Sequence, residues 1–445
     1  MTSAAACLAL AVSGAAAVAQ SPAGAATAPL PQNDPFYRPT PGFAATPVGT
    51  ILRSRPVQLA AFAVLPQNVQ AWQVLYRSTD YRGQPMASVT TLLKPAGAAP
   101  KAVISYQVAE DAAAPQCAPS YTMRPGAAPG EIVNQAELLL IDAAVGQGFA
   151  VSVPDYEGFR GDFGAARQPG YAILDGLRAA EHFGPLALPA GNRTPAAVWG
   201  YSGGSLASGW AAQVQPSYAP DLNIRGIALG GFVTDLAAAL IKINGGFGSG
   251  LIASALPGVD RSSPPLAAAL AKYLTPAGKA ALAKAGTQCE ISNLVSYPFT
   301  DFSKYLTVPL KTFLTLPTVR AGVAELDLGG SAPAAPLYVY HAVNDELVPI
   351  AGTDATVKKY CAAGDSVRYE RDLLSEHGSL AVTGAPAALA WLTDRLTGHA
   401  AASGCHTSTV LSTALTPGGL TQFPNTVRSI LLGLLDLPIG PGTIF

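Results

Sequence analysis

The chain has 445 residues, of which 49% are hydrophobic and only 12% are charged. This composition provides material for a large packed core and excludes a disordered protein, which is rich in charge and poor in apolar residues. The 27 basic and 28 acidic residues nearly cancel, and the sequence contains no run of basic residues. We therefore expect no nucleic-acid partner.

Residues 1–28 predict a secretory signal peptide. They are small and apolar, contain no Lys or Arg, and offer cleavage sites at Ala17-Val18-Ala19 and Ala26-Thr27-Ala28. The stretch is only weakly hydrophobic and is followed by the Pro-rich segment 29–47, so it makes a poor permanent membrane anchor. We therefore expect a secreted, extracellular protein without such an anchor.

Strand-forming and helical patterns alternate along the next part of the chain. The runs 72–76 and 87–93 flank the turn Asp80-Tyr81-Arg82-Gly83 and predict an antiparallel hairpin. Apolar runs of strand length follow at 102–108, 149–153, 196–199, 224–229, 337–340 and 367–373. Helical spacing of apolar residues occurs at 134–145, 171–183, 205–214 and 386–396. This alternation predicts a mostly parallel, buried sheet.

The alternation breaks between residues 232 and 335, where about a hundred residues show short helical patterns and no clear strand. The position of this segment between two predicted strands, on the carboxyl side of the sheet, favours a lid over the site, although an extra packed helical layer is the alternative. We therefore predict a helical lid or cap at 233–334, between core segments 29–232 and 335–400. The remaining segment, 401–445, forms a C-terminal extension that is either a flap over the pocket or packing.

The pattern G-x-S-x-G occurs as Gly200-Tyr201-Ser202-Gly203-Gly204 between a predicted strand and a predicted helix. Such an elbow strains the serine backbone, so its neighbours must lack bulky side chains, as Gly200, Gly203 and Gly204 do. Tyr201 is ambiguous, because aromatic neighbours either pack or bind substrate. The context predicts Ser202 as the nucleophile of an α/β-hydrolase fold, with a mostly parallel central sheet and a large helical lid insertion.

A serine nucleophile requires a histidine base and a carboxylate that orients it. In this fold the acid precedes the histidine in the chain. His377 follows the last predicted strand and is the expected base. His341 is its competitor but lies only four residues before the best acid, while packing or solvation accounts for the remaining histidines: His182, His399 and His406.

The best acid is Asp345, which lies just past the predicted strand 337–340. Glu346 and Asp365 are the alternatives and are more easily read as surface charges. The oxyanion hole requires one N–H from Gly203 and a second from the loop after strand 102–108, in the Glu110–Asp111 region. The predicted chemistry requires no cofactor.

Four cysteines remain after the predicted signal: Cys117, Cys289, Cys361 and Cys405. They allow three pairings in an oxidising compartment, and spacing favours Cys361 with Cys405, which leaves Cys117 with Cys289. No CxxC or His-rich spacing suggests a metal site.

Several motifs together resemble the secretory lipase family over nearly the whole chain after the signal. They are Ser105-Tyr106-Gln107 with Glu110-Asp111, Cys117-Ala118-Pro119-Ser120-Tyr121, Pro154-Asp155-Tyr156-Glu157-Gly158 and the Ser202 elbow. The resemblance implies a triacylglycerol lipase or broad esterase with a helical lid, a C-terminal flap and two disulfides. It also implies a triad of Ser202, Asp345 and His377, an oxyanion hole at Asp111 and Gly203, and the pairs Cys117–Cys289 and Cys361–Cys405.

We therefore expect a monomeric carboxylic ester hydrolase that cleaves lipid esters, with an oil–water interface as its place of action. The alternative within the enzymes is a carboxylesterase or acyltransferase for smaller soluble esters. A binding protein on a catalytically silent hydrolase scaffold is the alternative from another class, but the presence of all three triad residues argues against it.

Overall fold

The computed structural model describes residues 28–128, 132–188 and 191–443. Apart from Ala28, the predicted signal peptide lies outside the described residues. The strands, in chain order, are β1 (Ile51–Val57), β2 (Ala60–Ala61), β3 (Leu65–Pro66), β4 (Gln70–Thr79), β5 (Pro85–Lys94), β6 (Val103–Gln107), β7 (Ala150–Pro154), β8 (Ala196–Tyr201), β9 (Ile224–Gly230), β10 (Leu337–Ala342), β11 (Val367–Asp372) and β12 (Cys405–Val410).

A ten-stranded sheet in the order β1-β4-β5-β7-β6-β8-β9-β10-β11-β12 forms the centre of the molecule, and β2 pairs with β3 in a separate hairpin. The predicted hairpin is β4 and β5, which pair antiparallel with Trp72 opposite Leu92. From β7 to β12 all neighbours run parallel. This is the predicted α/β-hydrolase fold with its mostly parallel sheet.

The helices, in chain order, are α1 (Pro119–Thr122), α2 (Ile132–Gly146), α3 (Gln168–His182), α4 (Gly203–Tyr218), α5 (Leu236–Ile243), α6 (Gly250–Ser262), α7 (Pro264–Tyr273), α8 (Pro276–Ala285), α9 (Glu290–Ser296), α10 (Leu310–Thr315), α11 (Pro317–Ala324), α12 (Ile350–Ala363), α13 (His377–Thr383), α14 (Ala385–Leu396) and α15 (Pro417–Leu434). In the part of the chain that the structure describes, no helix is long and apolar enough to cross a membrane.

Helices cover both faces of the sheet, so its central strands are apolar on both sides. All residues of β6, β7, β8 and β10 are buried. Along β8, Val198 contributes to the core layer that includes α3 and α4, whereas Ala197 and Trp199 contribute to the layer that includes α2 and α14. This explains why the strands appear in the sequence as short, continuous apolar runs.

Two strands of the sheet escaped the sequence analysis. Strand β12 pairs parallel with β11 at the sheet edge, but its residues Cys405–Val410 are polar and mostly exposed. Strand β1, at the other edge, has the sequence Ile-Leu-Arg-Ser-Arg-Pro-Val and no clear alternation. Edge strands bury little surface, so apolar periodicity does not reveal them.

The segment between β9 and β10 consists of α5 to α11 and has apolar clusters of its own, one around Leu270 and Phe313 and another around Ile252 and Phe302. We call it the insertion (233–334). A disulfide joins Cys117, in the loop after β6, to Cys289, just before α9 of the insertion. A second disulfide joins Cys361 of α12 to Cys405 of β12. The division of the chain into core, lid and C-terminal extension remains a prediction.

Candidate active site

Three of the predicted site residues lie just beyond the carboxyl ends of parallel strands of the sheet. Ser202 follows β8, Asp345 follows β10, and His377 opens α13 after β11. Parallel strands bring their carboxyl ends to one edge of the sheet, where α/β proteins build their sites. The topology therefore brings together side chains that are far apart in the sequence.

These three side chains form one continuous hydrogen-bonded chain. The Nε2 atom of His377 lies 2.8 Å from Oγ of Ser202, and its Nδ1 atom lies 2.7 Å from Oδ2 of Asp345. When Nδ1 carries the proton and donates a hydrogen bond to the carboxylate, Nε2 is unprotonated and can accept the serine proton. His377 and Asp345 are buried, whereas Ser202 is partly exposed, as a group that meets substrate must be.

The backbone at Ser202 is strained, with φ 52° and ψ −123°. A non-glycine residue occupies this region only where its surroundings enforce it. The surroundings are tight, because a Cβ at position 204 would collide with the carbonyl oxygen of Gln107. Helix α4 starts directly after Ser202, so its first N–H groups have no partner within the helix and are available to an anion.

Asp345 is held as an anion by its neighbours. Its Oδ1 atom accepts hydrogen bonds from the backbone N–H groups of Leu347, at 2.9 Å, and Val348, at 2.6 Å. Burial opposes ionisation, but the hydrogen bond and charge of His377, with smaller contributions from His341 and Val348, hold the pKa of Asp345 below its usual value. A carboxylate of this kind can stabilise an imidazolium.

His377 is supported from three sides. Burial alone would lower its pKa, but the hydrogen bond and charge of Asp345, followed by the charges of Glu346 and Asp111, raise the pKa above the usual value. Glu346 also accepts a hydrogen bond from the backbone N–H of His377, at 2.9 Å. The Tyr201 hydroxyl donates a hydrogen bond to the backbone carbonyl oxygen of His377, at 2.6 Å. Tyr201, which the sequence left ambiguous, therefore positions the histidine backbone.

His341, the competing histidine, contacts the acid. Its Nε2 atom lies 3.4 Å from Oδ2 of Asp345 and 3.1 Å from the carbonyl oxygen of Val348. Its Nδ1 atom lies 3.1 Å from Oγ1 of Thr353, whose hydroxyl donates to the carbonyl oxygen of Phe232. Burial lowers the pKa of His341 against the opposing charge of Asp345. The sequence left His341 as a competing base or a packing residue, and nothing in it revealed the contact with the acid.

The two candidates for the second oxyanion donor differ in their surroundings. The backbone N–H of Glu110 donates to the carbonyl oxygen of Val108, at 2.9 Å, so it is engaged within its own loop. Asp111 has φ 34° and lies against Gly203, whose Cα carries no side chain that would collide with the Asp111 carboxyl group. Among the described residues, Oδ1 of Asp111 has no hydrogen-bond partner. Burial raises the pKa of Asp111 to about 6, although the charge of His377 opposes this.

The loop that carries Asp111 is fixed by buried groups whose role in this loop the sequence did not reveal. Glu137 accepts hydrogen bonds from the backbone N–H of Ala109, at 2.8 Å, and from the Tyr106 hydroxyl, at 2.7 Å. Burial raises the pKa of Glu137 to about 7, and these two bonds oppose the rise. The Tyr156 hydroxyl donates to the carbonyl oxygen of Val108. Helical periodicity assigned Glu137 to α2 but gave no sign of this contact.

Comparison with known proteins identifies the family. The model of the family described as secretory lipase matches residues 124–404. The chain belongs to the secretory lipase family. A protein of Arthroderma benhamiae named lipase A is 43% identical to this chain, and the match covers 93% of this chain and 90% of the relative. A secreted triacylglycerol lipase of Malassezia globosa is 34% identical over 93% and 92%. The predicted resemblance is therefore confirmed, and the protein is a carboxylic ester hydrolase.

One similar protein has a name that points the other way. A Mycobacterium tuberculosis protein named probable inactive lipase is 41% identical over 83% of both chains. The crystal structure of Candida antarctica lipase A superposes with a TM-score of 0.80 and 27% identity, over 94% of this chain and 100% of that one. In the chain described here, His377 lies at hydrogen-bond distance from both Ser202 and Asp345, so the geometry shows no defect at these three positions.

A large apolar cavity opens from the Ser202 hydroxyl of this lipase. It encloses about 1120 Å³ of unoccupied space, part of it open to solvent, and Asp111, Ser202 and Gly203 lie in its wall. Most of the wall comes from the insertion, including Leu256 and Phe313. Among the described residues, no residue after Val348 in the sequence lines this cavity. Residues 401–443 instead form β12 and the helix α15, which packs on α14 and α2.

Proposed function

We propose that this secreted lipase hydrolyses fatty acyl esters, triacylglycerols foremost, by an acyl-enzyme mechanism in which Ser202 is the nucleophile. The observation that carries the proposal is the continuous hydrogen-bonded chain from the Ser202 hydroxyl through His377 to Asp345. An apolar cavity that begins at the same hydroxyl indicates what the attacked ester carries.

In the first half-reaction Oγ of Ser202 attacks the ester carbonyl carbon while Nε2 of His377 takes the hydroxyl proton. The negative charge moves to the carbonyl oxygen, where the N–H groups of Gly203 and Asp111 stabilise it. The C–O bond to the alcohol then breaks, and His377 gives its proton to the departing oxygen. The acyl group remains on Ser202.

In the second half-reaction water attacks the acyl-enzyme. His377 accepts a proton from the water as its oxygen bonds to the acyl carbon, and returns that proton to Oγ of Ser202 as the fatty acid leaves. Asp345 stays ionised throughout, in agreement with its lowered pKa, and balances the charge of the imidazolium. The proposed reaction uses only these side chains and backbone groups.

The substrate class follows from the cavity wall. When a hydrocarbon chain moves from water onto such a surface, the free energy falls in proportion to the apolar area that is covered. The name of the Malassezia globosa relative, a secreted triacylglycerol lipase, agrees with this substrate and with action outside the cell. The two disulfides also suit an oxidising compartment.

The test is the Ser202→Ala variant, which should lower kcat on p-nitrophenyl esters by about six orders of magnitude because the nucleophile is lost. The exposed Ser403 provides the matched control, since Ser403→Ala should leave kcat unchanged. Thermal unfolding of both variants confirms that they fold. A Ser202→Ala enzyme with most of its activity, or an alkyl phosphonate that labels a different serine, would refute the assignment.

A second candidate is an esterase or acyltransferase for small soluble esters, which would use the same three residues. The partly exposed Ser202 hydroxyl is compatible with it. Rates on emulsified triolein and on dissolved tributyrin distinguish the two. A lipase cleaves the emulsion faster, whereas an esterase of soluble substrates does not, and transfer to an added alcohol reveals the acyltransferase.

A further inference from the structure

The insertion encloses a second cavity, separate from the one at Ser202. Its unoccupied space is about 550 Å³, part of it open to solvent. All its lining residues lie between positions 240 and 314, so the insertion alone forms its wall. Helix α8 supplies one side through Gly278, Ala281 and Ala285, and α6 faces it with Ala253.

The wall of this second cavity excludes polar ligands. It is made of aliphatic, aromatic and glycine residues, and its polar side chain is the phenol of Tyr305. None of the lining residues carries a charge. A buried water needs two to four polar partners and would find few here, whereas hydrocarbon needs none. The chemistry of the wall therefore points to an alkyl chain as the occupant.

The two cavities share part of their walls, so they are neighbours. Six side chains line both of them: Leu240, Ile252, Leu256, Leu270, Phe313 and Leu314. The partition is thus made of apolar side chains, which can change rotamer, and Phe313 of α10 is the largest of them. A chain that starts at Ser202 and outgrows the first cavity meets this partition.

We propose that the second cavity is a distal acyl site, which takes the end of a long fatty acyl chain after the chain has passed between the shared side chains. The inference rests on the proposed function, because it requires the acyl group to be attached at Ser202. It adds a determinant of specificity: the small residues of α6 and α8 leave the space that long chains require.

The sequence explains why this space exists. Ala253 and Ala285 are fully buried, yet each contributes only a methyl group where a core position usually has a larger side chain. Short side chains on facing helices keep the interior of the insertion open.

The experiment compares Ala281→Leu with Ala283→Leu, the same substitution two residues further along α8. Ala281 lines the cavity, whereas Ala283 is exposed. We expect Ala281→Leu to lower the ratio of kcat/KM for p-nitrophenyl palmitate over p-nitrophenyl butyrate by about ten-fold or more, since even one methylene is worth roughly this factor in an apolar pocket. The control should keep the wild-type ratio.

Thermal unfolding separates loss of the site from loss of the fold. A leucine that enters empty space should leave the midpoint unchanged or raise it, whereas in a filled core it would strain the packing and lower the midpoint. An unchanged ratio in Ala281→Leu, or a clear fall of the midpoint, would overturn the distal site.

A second measurement needs no variant. The wild-type enzyme is inactivated with the p-nitrophenyl ester of a hexadecyl phosphonate and crystallised. The terminal carbons should lie between α6 and α8, and a chain that ends in the first cavity or leaves to solvent contradicts the inference. If butyrate is cleaved but palmitate behaves identically in all variants, the distal site alone fails. If no ester is cleaved and no phosphonate binds, the proposed function fails with it.

Discussion

The edge of the sheet formed by the carboxyl ends of its strands, which we call the sheet edge from here on, and the insertion determine different properties of this molecule. At this edge, Ser202, Asp345 and His377 are fixed by hydrogen bonds of 2.7 and 2.8 Å, and Glu346 and Tyr201 hold the backbone of His377 by further hydrogen bonds. In the insertion, Phe313 and Leu256 define a shape by contact alone. Reaction type is thus encoded by few residues with strict geometry, whereas the preferred substrate is encoded by many apolar residues, none of which is individually decisive.

After loss of the nucleophile, replacing the predicted acid should impair catalysis most severely. Asp345→Asn should lower kcat by about four orders of magnitude, because the amide can donate to Nδ1 and so leave the proton on Nε2, where it blocks transfer from the serine. Asp365→Asn is the matched control for the alternative acid and should retain wild-type kcat. Steady-state kinetics on a soluble ester checks both. A larger loss in Asp365→Asn than in Asp345→Asn would show that the acid is wrongly assigned.

The next effect tests the link between the two regions. Cys117 and Cys289 connect the loop near Asp111 to the insertion across a sequence separation of 172, whereas Cys361 and Cys405 are separated by 44. Removing either bond by double serine substitution should cost about 2–5 kcal/mol of unfolding free energy, and the longer loop should cost roughly 1 kcal/mol more. Urea unfolding measures both variants.

The same pair of variants also separates stability from activity. We expect kcat to fall in the variant that lacks Cys117–Cys289, because the bond holds the loop after β6, and to stay near the wild-type value in the variant that lacks Cys361–Cys405. Equal losses of activity in both would mean that the first bond has no particular connection to the site.

The smallest effect concerns pH. His377 must be neutral to accept a proton, so activity is lost as pH falls through its pKa, which is raised above the usual value in part by the charge of Glu346. Glu346→Gln removes that charge and keeps an oxygen that can accept from the His377 backbone N–H. The acid limb of kcat/KM should therefore move to lower pH. The exposed Glu325→Gln is the control, and a limb that stays in place in Glu346→Gln would contradict the electrostatic argument.

Sequence patterns predicted the sheet edge better than the insertion, for physical reasons. Strict requirements leave signatures, so the glycines around Ser202 and the positions of Asp345 and His377 after strands pointed to the site. The central strands were found because burial on both faces makes them continuously apolar. The polar edge strand β12 has no such pattern.

Contacts between individual side chains left no signal in the sequence. His341 beside Asp345, Glu346 beside the His377 backbone and Glu137 beneath the Asp111 loop depend on how the strands and helices come together. The two cavities depend on how α5 to α11 pack against each other, and helical periodicity does not specify that. The roles of the triad and of Asp111 and Gly203 remain predictions until the variants are measured.

The bond between Cys117 and Cys289 closes a covalent ring that contains the Ser202 elbow and leaves Asp345 and His377 outside it. A protease that cuts the chain once anywhere inside the ring, including in the first half of the insertion, produces two pieces that stay joined. A nicked molecule thus travels as a single species under oxidising conditions and separates into fragments only when a reductant is added.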